Sequence, residues 1–180
     1  MTVSPTGFKD LFVLEPKVLG DARGYFMESY NRQTLLKSGI DITFVQDNQS
    51  SSRKGVLRGL HFQRAPYAQT KLVRALSGTI LDVVVDLRRS EPTFGKYFGV
   101  ELSGENKKQL LVPKGFAHGF IVLSDTAEVF YKCDEFYSPE ADGGIHYKSI
   151  DIDWRLPESE FNLSAKDTNL PLLKDAKFEF

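Results

Sequence analysis

Short apolar runs separated by turn residues fill most of the chain and limit the folds that are open to it. Runs such as GVLRGLHFQ, TILDVVVDL and FAHGFIVLS are rich in Val, Ile, Leu and Phe, and polar turns such as Ser77-Gly78 separate them. Strands at this spacing predict an antiparallel sandwich or barrel. In the first half of the chain only NRQTLLKSG predicts a helix, with Asn31 as its N-cap and Gly39 just past its end.

Two further patterns bear on how the sheets are covered. The run VVV at 83–85 is continuously apolar, which is typical of a strand covered on both faces. A sandwich by itself covers only one face, so something else must cover the other, and dimerisation is one way to do so. Residues 151–180 are more polar and contain Pro157 and Pro171, and we expect them to wrap the sheet as loops and a short helix.

Length and composition are those of an ordinary globular protein. The chain has 180 residues, and we expect a single domain over residues 1–180. Its 23 basic and 24 acidic residues give a net charge of −1, which argues against binding to nucleic acid or a membrane surface. Cys133 is the only cysteine, the first residues lack the apolar core of a signal peptide, and no apolar run is long enough to span a bilayer. We therefore expect a cytoplasmic protein.

The number and spacing of the histidines limit the metal sites and catalytic sites that the chain can form. His61, His118 and His146 are the only three, and each lies in a different segment. Double-stranded folds of this kind often hold a metal through a His-x-His pair, but Gln63 stands where the second histidine would be. The spacing therefore disfavours a metal site.

The run VLRGLHFQ places two polar side chains, Arg58 and His61, among apolar neighbours. They are either satisfied structural residues or part of one wall of a reaction site. Strict alternation along a strand puts them on opposite faces. They can share a site only if a kink at Gly59 realigns them, which a glycine within a strand often allows.

The run QTKLVRALSGTILDVVVD predicts a hairpin that turns at Ser77-Gly78. In that register Lys71 and Asp82 are diagonal neighbours on one face. They form either a surface ion pair, worth about 0.5 kcal/mol, or an inward-facing lysine that a carboxylate holds ready to stabilise an oxyanion.

Two other segments leave alternatives open. Tyr131 and Tyr137 fall on the same side of an unbroken strand, where aromatic side chains are usually core. Phenols on that face would also suit a proton donor and a ring that stacks on a base. Ser164 precedes Asp167 by three residues, which fits a helix capping signal. Asp167 either completes that helix start or orients a histidine ring.

Several segments, in this order, together resemble the dTDP-4-dehydrorhamnose 3,5-epimerase family: RGYFMESY, FVQDNQSSSRKGVLRGLHFQ, QTKLVRALSG, DVVVDLR, PKGFAHGFIVLSDTAEVFYKC, YSPEADGGI and SAKDTNLPLL. The resemblance extends from about Gly7 to Leu173. It implies an all-β fold, a cupin-type jelly-roll sandwich with a few short helices, in a homodimer that exchanges N-terminal strands. It also implies an isomerase that uses no metal or organic cofactor. Such an enzyme inverts C3 and C5 of dTDP-4-keto-6-deoxy-D-glucose to give dTDP-4-keto-L-rhamnose, on the route to surface polysaccharides.

The resemblance also implies roles for particular residues. It implies His61 as the general base, Asp167 as its partner, Tyr131 as the general acid and Lys71 as the residue that steadies the enolate oxygen. Asp82, the neighbour of Lys71 in the predicted hairpin, is a supporting residue. Substrate contacts are implied for Arg23, Phe26, Glu28, Gln46, Asp47, Asn48, Arg58, His118, Tyr137, Asp142 and Lys166.

Among these contacts, Arg58 and His118 fall where the family contacts the diphosphate or the sugar. Tyr137 matches the ring that stacks near the thymine. Asp142 departs from the family, which often has a glutamate at this position, one methylene longer.

Three other functions remain open at this point. One is a relative that inverts only C3 or only C5, or that acts on another nucleotide 4-ketosugar; the presence of Tyr131 favours the double epimerase over it. A second is a metal-dependent jelly-roll oxygenase or isomerase. A third is a catalytically silent sugar-nucleotide binder, against which the presence of all the implied catalytic residues argues.

Overall fold

The computed structural model describes all residues from Met1 to Phe180. Strands make up most of its regular structure. The strands are, in chain order, β1 (Thr2–Pro5), β2 (Phe12–Glu15), β3 (Val18–Asp21), β4 (Gly24–Met27), β5 (Gln46–Arg53), β6 (Leu57–Gln63), β7 (Lys71–Ser77), β8 (Thr79–Asp86), β9 (Tyr97–Ser103), β10 (Gln109–Val112), β11 (Phe116–Val122), β12 (Thr126–Cys133) and β13 (Asp142–Gly144). Two short α-helices are present, α1 (Arg32–Lys37) and α2 (Ala165–Thr168), with 3-10 turns at Tyr147–Ser149 and Glu158–Glu160.

The strands form two sheets that pack face to face and a separate two-stranded ribbon. The order in the six-stranded sheet is β1-β2-β10-β7-β12-β5, and the order in the five-stranded sheet is β13-β6-β11-β8-β9. β3 and β4 pair only with each other. Neighbouring strands are antiparallel throughout, as in a jelly-roll sandwich. The predicted all-β, cupin-type fold is confirmed.

The core between the two sheets is built from alternate residues of facing strands. Val73 and Ala75 of β7 belong to the same buried apolar cluster as Ile80 and Val84 of β8. Each fully buried aliphatic side chain of this size stabilises the fold by about 1.5–3 kcal/mol relative to exposure. The core therefore fixes the distance between the two sheets, and with it the width of any hollow that they enclose.

The outer face of the five-stranded sheet is covered by the chain's own C-terminal part. Val83 and Val85 of β8 point to this side, where Trp154 and Phe178 join them in a second buried cluster. Residues of the C-terminal segment thus pack against this sheet, and β8 is covered on both faces as its apolar run indicated. The alternative that dimerisation covers this face is wrong, because the tail already occupies it.

The predicted hairpin between β7 and β8 is wrong. β7 pairs with β10 and β12, whereas β8 pairs with β11 and β9, so the two strands belong to different sheets. Gly78 carries the chain from one sheet to the other with φ +69°, and a Cβ at this position would meet the Thr126 carbonyl oxygen at 2.0 Å. The glycine thus serves a close crossing between sheets and not a two-residue hairpin turn.

The predicted helix is confirmed as α1. The Asn31 side chain accepts hydrogen bonds from the backbone N–H groups of Gln33 and Thr34, which is the expected N-cap geometry. Gly39 follows the C-cap with φ +80°, a conformation that favours glycine.

Candidate active site

A cavity of about 490 Å³ opens between the two sheets and is lined by seven of the polar residues to which the sequence pointed. Its walls come from β5, β7 and β12 of one sheet, β6 and β11 of the other, and the segment that leads into α2. The lining residues are Gln49, Ser50, Val56, Leu57, Arg58, His61, Lys71, His118, Gly119, Phe120, Tyr131, Asn162, Leu163, Ser164, Lys166 and Asp167.

A local irregularity in β6 brings Arg58 and His61 to the same cavity. Arg58 pairs with Phe120 of β11 and His61 pairs with His118, so three residue steps on β6 match two on β11. The extra residue falls at Gly59, which has φ +128° and would place a Cβ 2.6 Å from the Gly119 Cα. The kink that strict alternation required at Gly59 is therefore present, as bulges with glycine commonly provide.

His61 and Asp167 form a hydrogen-bonded pair at the cavity wall. His61 Nε2 lies 2.6 Å from Asp167 Oδ1, with the histidine side chain 30% exposed and the aspartate side chain 5% exposed. Burial by itself would raise the pKa of Asp167, but the hydrogen bonds from His61 and Ser164 outweigh it and hold that pKa below its ordinary value. Asp167 is therefore a carboxylate that fixes the orientation of the imidazole.

The short helix α2 explains how Asp167 reaches the histidine. Ser164 Oγ accepts a hydrogen bond from the Asp167 backbone N–H at 3.1 Å and donates one to Asp167 Oδ2 at 2.7 Å. The two interpretations of the SAKD segment thus hold together. Asp167 completes a capped helix start, and the cap directs its free carboxylate oxygen at His61.

Lys71 and Tyr131 stand on the opposite wall, in the six-stranded sheet. Lys71 Nζ lies 5.7 Å from the centre of the Tyr131 ring. Burial lowers the pKa of Lys71 and raises that of Tyr131. The surface ion pair considered for Lys71 is wrong, since Lys71 is half-buried and makes no salt bridge within 4 Å.

Asp82, the expected partner of Lys71, is instead bonded to His118. Asp82 Oδ1 lies 2.5 Å from His118 Nε2, and the side chains are 0% and 8% exposed. The second carboxylate oxygen of Asp82 is buried without a hydrogen-bond partner. The Asp82 charge still acts to raise the pKa of Lys71 against the larger effect of burial. Asp82 therefore contacts His118 directly and acts on Lys71 through its charge.

Several residues implied as substrate contacts lie at the rim or along β5. Lys166 lines the cavity and forms an ion pair with Asp142, and Tyr137 Oη lies 3.4 Å from Asp142 Oδ2. Gln46 and Asn48 are half-buried and hydrogen-bonded to each other at 3.1 Å.

Other implied contacts lie away from the cavity of their own chain. Asp47 points to the opposite face of β5 from its two neighbours, where it pairs with Lys132 at 2.9 Å. Arg23 and Phe26 lie on the β3–β4 ribbon, and Glu28 follows it, bonded to Asn31 at 2.9 Å. Arg23 is paired with Asp21, and its side chain is 90% exposed. The structure does not bring these residues to the cavity.

Four polar lining residues were missed by the sequence analysis as parts of the site. Ser50 continues the inward row of β5 two residues after Asn48, and this alternation was the signal that could have found it. Ser164 was recognised only as a helix cap. Asn162 reaches the cavity through a parallel bridge with Val56, and Gln49 lies at the exposed mouth; no local pattern marks either one.

No group of three or more His, Cys, Asp or Glu side chains is arranged to hold a metal ion. The two cavity histidines, His61 and His118, are each bonded to a carboxylate of their own. No helix has both the length and the apolar character needed to cross a membrane.

The arrangement suits the movement of protons between two walls. A carboxylate-backed imidazole stands on one wall, and a half-buried phenol and a half-buried amine stand on the other. Groups of these types can take a proton from carbon, stabilise the oxyanion that results and return a proton from the other side. A jelly-roll fold with a cavity of this chemistry suits an enzyme of the isomerase class.

Comparison with known proteins identifies the family. Residues 5–175 match the model of the dTDP-4-dehydrorhamnose 3,5-epimerase family. The dTDP-4-dehydrorhamnose 3,5-epimerase of Salmonella typhimurium is 53% identical over an alignment of 182 residues. The alignment covers 98% of this chain and 97% of the relative. The chain belongs to the dTDP-4-dehydrorhamnose 3,5-epimerase family and is an epimerase.

Solved structures agree with this assignment. The crystal structure of the dTDP-4-dehydrorhamnose 3,5-epimerase from Elizabethkingia anophelis superposes with a TM-score of 0.93 at 50% identity and covers 97% of each chain. An epimerase from Legionella pneumophila, solved in complex with dTDP-4-keto-L-rhamnose, superposes with a TM-score of 0.92 at 48% identity, covering 97% of this chain and 93% of its own.

Proposed function

We propose that the chain inverts C3 and C5 of dTDP-4-keto-6-deoxy-D-glucose to give dTDP-4-keto-L-rhamnose, which supplies rhamnose for surface polysaccharides. The observation that carries the proposal is the pairing of His61 with Asp167 on one sheet opposite Tyr131 and Lys71 on the other. Inversion needs removal of a proton from one face of the sugar and its return to the other. Acid and base on facing walls meet that need.

His61 is the general base. Its Nε2 is bonded to Asp167, which leaves Nδ1 as the nitrogen free to accept the proton from C3 or C5. The C4 ketone acidifies both positions, because the electron pair of the broken C–H bond moves into the enolate. Imidazole suits this role, because it can both accept a proton and hold it near neutral pH. The Asp167 carboxylate stabilises the imidazolium that forms.

Lys71 and Tyr131 complete the step. The negative charge that develops on the C4 oxygen is stabilised by the Lys71 ammonium; removal of one such donor typically costs about 3–4 kcal/mol in the barrier. Tyr131 gives its hydroxyl proton to the carbon on the face opposite His61, and the enolate electron pair forms the new C–H bond. Proton exchange with solvent restores both groups. The steps need no cofactor, because the proton leaves and returns through side chains.

The diphosphate and nucleotide contacts follow from the cations and aromatic rings around the mouth. Arg58, which is exposed and anchored by Nε to Ser52 Oγ at 3.1 Å, keeps its remaining guanidinium N–H groups for phosphate oxygens. His118 and Lys166 line the same cavity. The Tyr137 ring is 56% exposed near the rim and is available to stack on the thymine.

The reaction in heavy water tests the proposed function. We expect the protein, incubated with dTDP-4-keto-6-deoxy-D-glucose, to incorporate deuterium at C3 and C5 and to form the L-rhamno product, which proton NMR resolves. Inversion at only one carbon would instead assign a single-position epimerase. Binding of the substrate without any exchange would assign a silent binder, and an exchange that depends on stoichiometric metal would assign the metal-dependent class.

The alkaline limb of the pH profile should report Lys71. The ammonium is the working form, so activity is present below the pKa of Lys71 and lost as the pH rises through it. Burial lowers the pKa of Lys71 from its ordinary value of 10.5 and raises that of Tyr131 from 10.0, so the midpoint of the limb of kcat/KM should lie below pH 10.5. We expect Lys71→Arg to move the limb to higher pH, whatever its rate, because a guanidinium does not titrate in this range. An unmoved limb in this variant would exclude Lys71 as its source.

We further propose a homodimer in which the β3–β4 ribbon of one protomer completes the cavity of its partner. The ribbon pairs with no other strand and exposes Val18, Leu19, Tyr25 and Phe26 by 43%, 53%, 57% and 70%. Apolar side chains exposed together on a ribbon favour a protein contact. The ribbon also carries Arg23 and Phe26, for which the resemblance implies substrate contacts and which lie away from the cavity of their own chain.

Mixed dimers test whether the ribbon acts between protomers. We expect His61→Ala and Arg23→Ala to be impaired separately, and co-refolded mixtures to regain activity. A mixed dimer contains one cavity with an intact His61 that receives an intact Arg23 from its partner. If a mixture that sedimentation shows to be dimeric regained no activity, the ribbon of each protomer would instead belong to the cavity of the same protomer.

The remaining partners and the location follow from the same proposal. The net charge of −1 gives no support for binding nucleic acid, and a lone buried cysteine suits the reducing cytoplasm. A nucleotide-sugar enzyme of this kind would work there.

A further inference from the structure

Every hydrogen-bonding group of the Gln63 side-chain amide bonds to a backbone atom, and these atoms belong to two loops. The residue ends β6 and is 5% exposed. Its Nε2 donates to the carbonyl oxygens of Tyr67 at 2.7 Å and Phe136 at 3.1 Å, and its Oε1 accepts from the Ser138 N–H at 2.8 Å. A buried amide with both ends occupied in this way holds its partners in one arrangement.

Two of these bonds fall on either side of Tyr137. The carbonyl of Phe136 and the N–H of Ser138 both bind Gln63, while the N–H of Tyr137 itself donates to Gln46 Oε1 at 3.0 Å. Gln63 belongs to the five-stranded sheet and Gln46 to the six-stranded sheet. The backbone around Tyr137 is therefore fastened to both walls of the sandwich, and its exposed ring is held at the rim.

We infer that Gln63 is a positioning residue that sets the Tyr137 ring for the nucleobase of the substrate. The inference rests on the proposed function, in which Tyr137 stacks on the thymine. Gln63 acts on binding at the nucleotide end and not on proton transfer, because its bonds go to the loops at residues 67 and 136–138 and none goes to His61, Asp167 or Lys71.

A double-mutant cycle on binding and turnover tests the inference. Gln63→Met keeps the length of the side chain and removes all three bonds. We expect it to raise KM, and the Kd for thymidine diphosphate measured by calorimetry, about tenfold, within the range by which loss of base stacking weakens binding, with kcat changed by less than about twofold. Tyr137→Ala should give a similar rise. In the double variant the two effects should not add, because Gln63 acts through Tyr137.

Two further variants make the cycle decisive. Gln63→Glu keeps the oxygen that accepts from Ser138 but points its second carboxyl oxygen at the carbonyls of Tyr67 and Phe136, so it should also raise the Kd; it also serves if Gln63→Met does not fold. Ser124→Ala removes hydrogen bonds with the N–H of Thr79 and the carbonyl of Thr126 at a turn outside the cavity, and should leave the Kd unchanged.

Other results would overturn the inference or the function separately. Additive effects of Gln63→Met and Tyr137→Ala would show that Gln63 does not act through the ring. A fall in kcat at unchanged KM would assign Gln63 to the chemistry instead, and an unchanged Kd in both Gln63 variants would remove any role in binding. The wild-type protein could bind thymidine diphosphate, and the Gln63 variants could weaken that binding as expected, while the 4-ketosugar is not turned over. That result would contradict the proposed function alone.

Discussion

Replacing His61 with alanine should abolish the incorporation of solvent deuterium at both C3 and C5. The variant lacks the only imidazole in the cavity that is partly exposed and backed by a carboxylate from α2. Since both carbons flank one ketone, a single base can serve both, and its loss should lower both exchange rates by about 10²–10⁴-fold or more. Time-resolved proton NMR in heavy water measures each position separately.

His146→Ala is the matched control for this variant. His146 is half-buried on the outer side of the five-stranded sheet, where its ring accepts a hydrogen bond from the Lys148 N–H, and it does not line the cavity. It should exchange at the wild-type rate. Wild-type exchange in His61→Ala would remove His61 from the role of base. Loss of exchange at one carbon alone would require a second base, for which His118 is the remaining histidine.

Tyr131→Phe should separate proton removal from inversion. The substitution removes only the hydroxyl, so the ring that lies 5.7 Å from the Lys71 ammonium remains in place. His61 can still take the proton and return it, or a deuteron, to the same face. Exchange with retention should therefore continue, while formation of the inverted product falls by about 10²–10⁴-fold at one or both carbons. NMR of the recovered sugar distinguishes the two outcomes by isotope content and coupling constants.

Tyr147→Phe provides the control for loss of a phenol. The Tyr147 hydroxyl donates to Glu158 at 2.8 Å, and the ring packs in the cluster on the outer face of the sheet. This variant should invert both carbons at the wild-type rate. If Tyr131→Phe also inverted both carbons normally, the returning proton would have to come from another group.

The strands were predictable from the sequence, but their partners were not. Alternation and turn residues are local patterns, and they located most of the strands and the single early helix, but not the short strands β1 and β13. Pairing between strands is long-range: β7 lies next to β10 and β12, which follow it by dozens of residues. A Ser-Gly turn between two apolar runs fits a hairpin equally well on local grounds. Only the close approach of Gly78 to Thr126 distinguishes the crossing between sheets.

The same limit explains the candidate site. The Gly59 kink was predictable, because alternation alone could not bring Arg58 and His61 together. The bond between Asp82 and His118 was not, because it depends on β8 and β11 being neighbours in one sheet. Asp167 could be recognised as part of a capped helix start from its spacing to Ser164. Its reach to a histidine 106 positions earlier depends on where the tail lies.

The tail that covers the five-stranded sheet also carries Asp167. Trp154 and Phe178, which cover the sheet, lie on either side of α2 along the chain, so the segment that covers the sheet also holds Asp167 in place. A substitution that loosened this tail from the sheet would therefore also withdraw the carboxylate from His61.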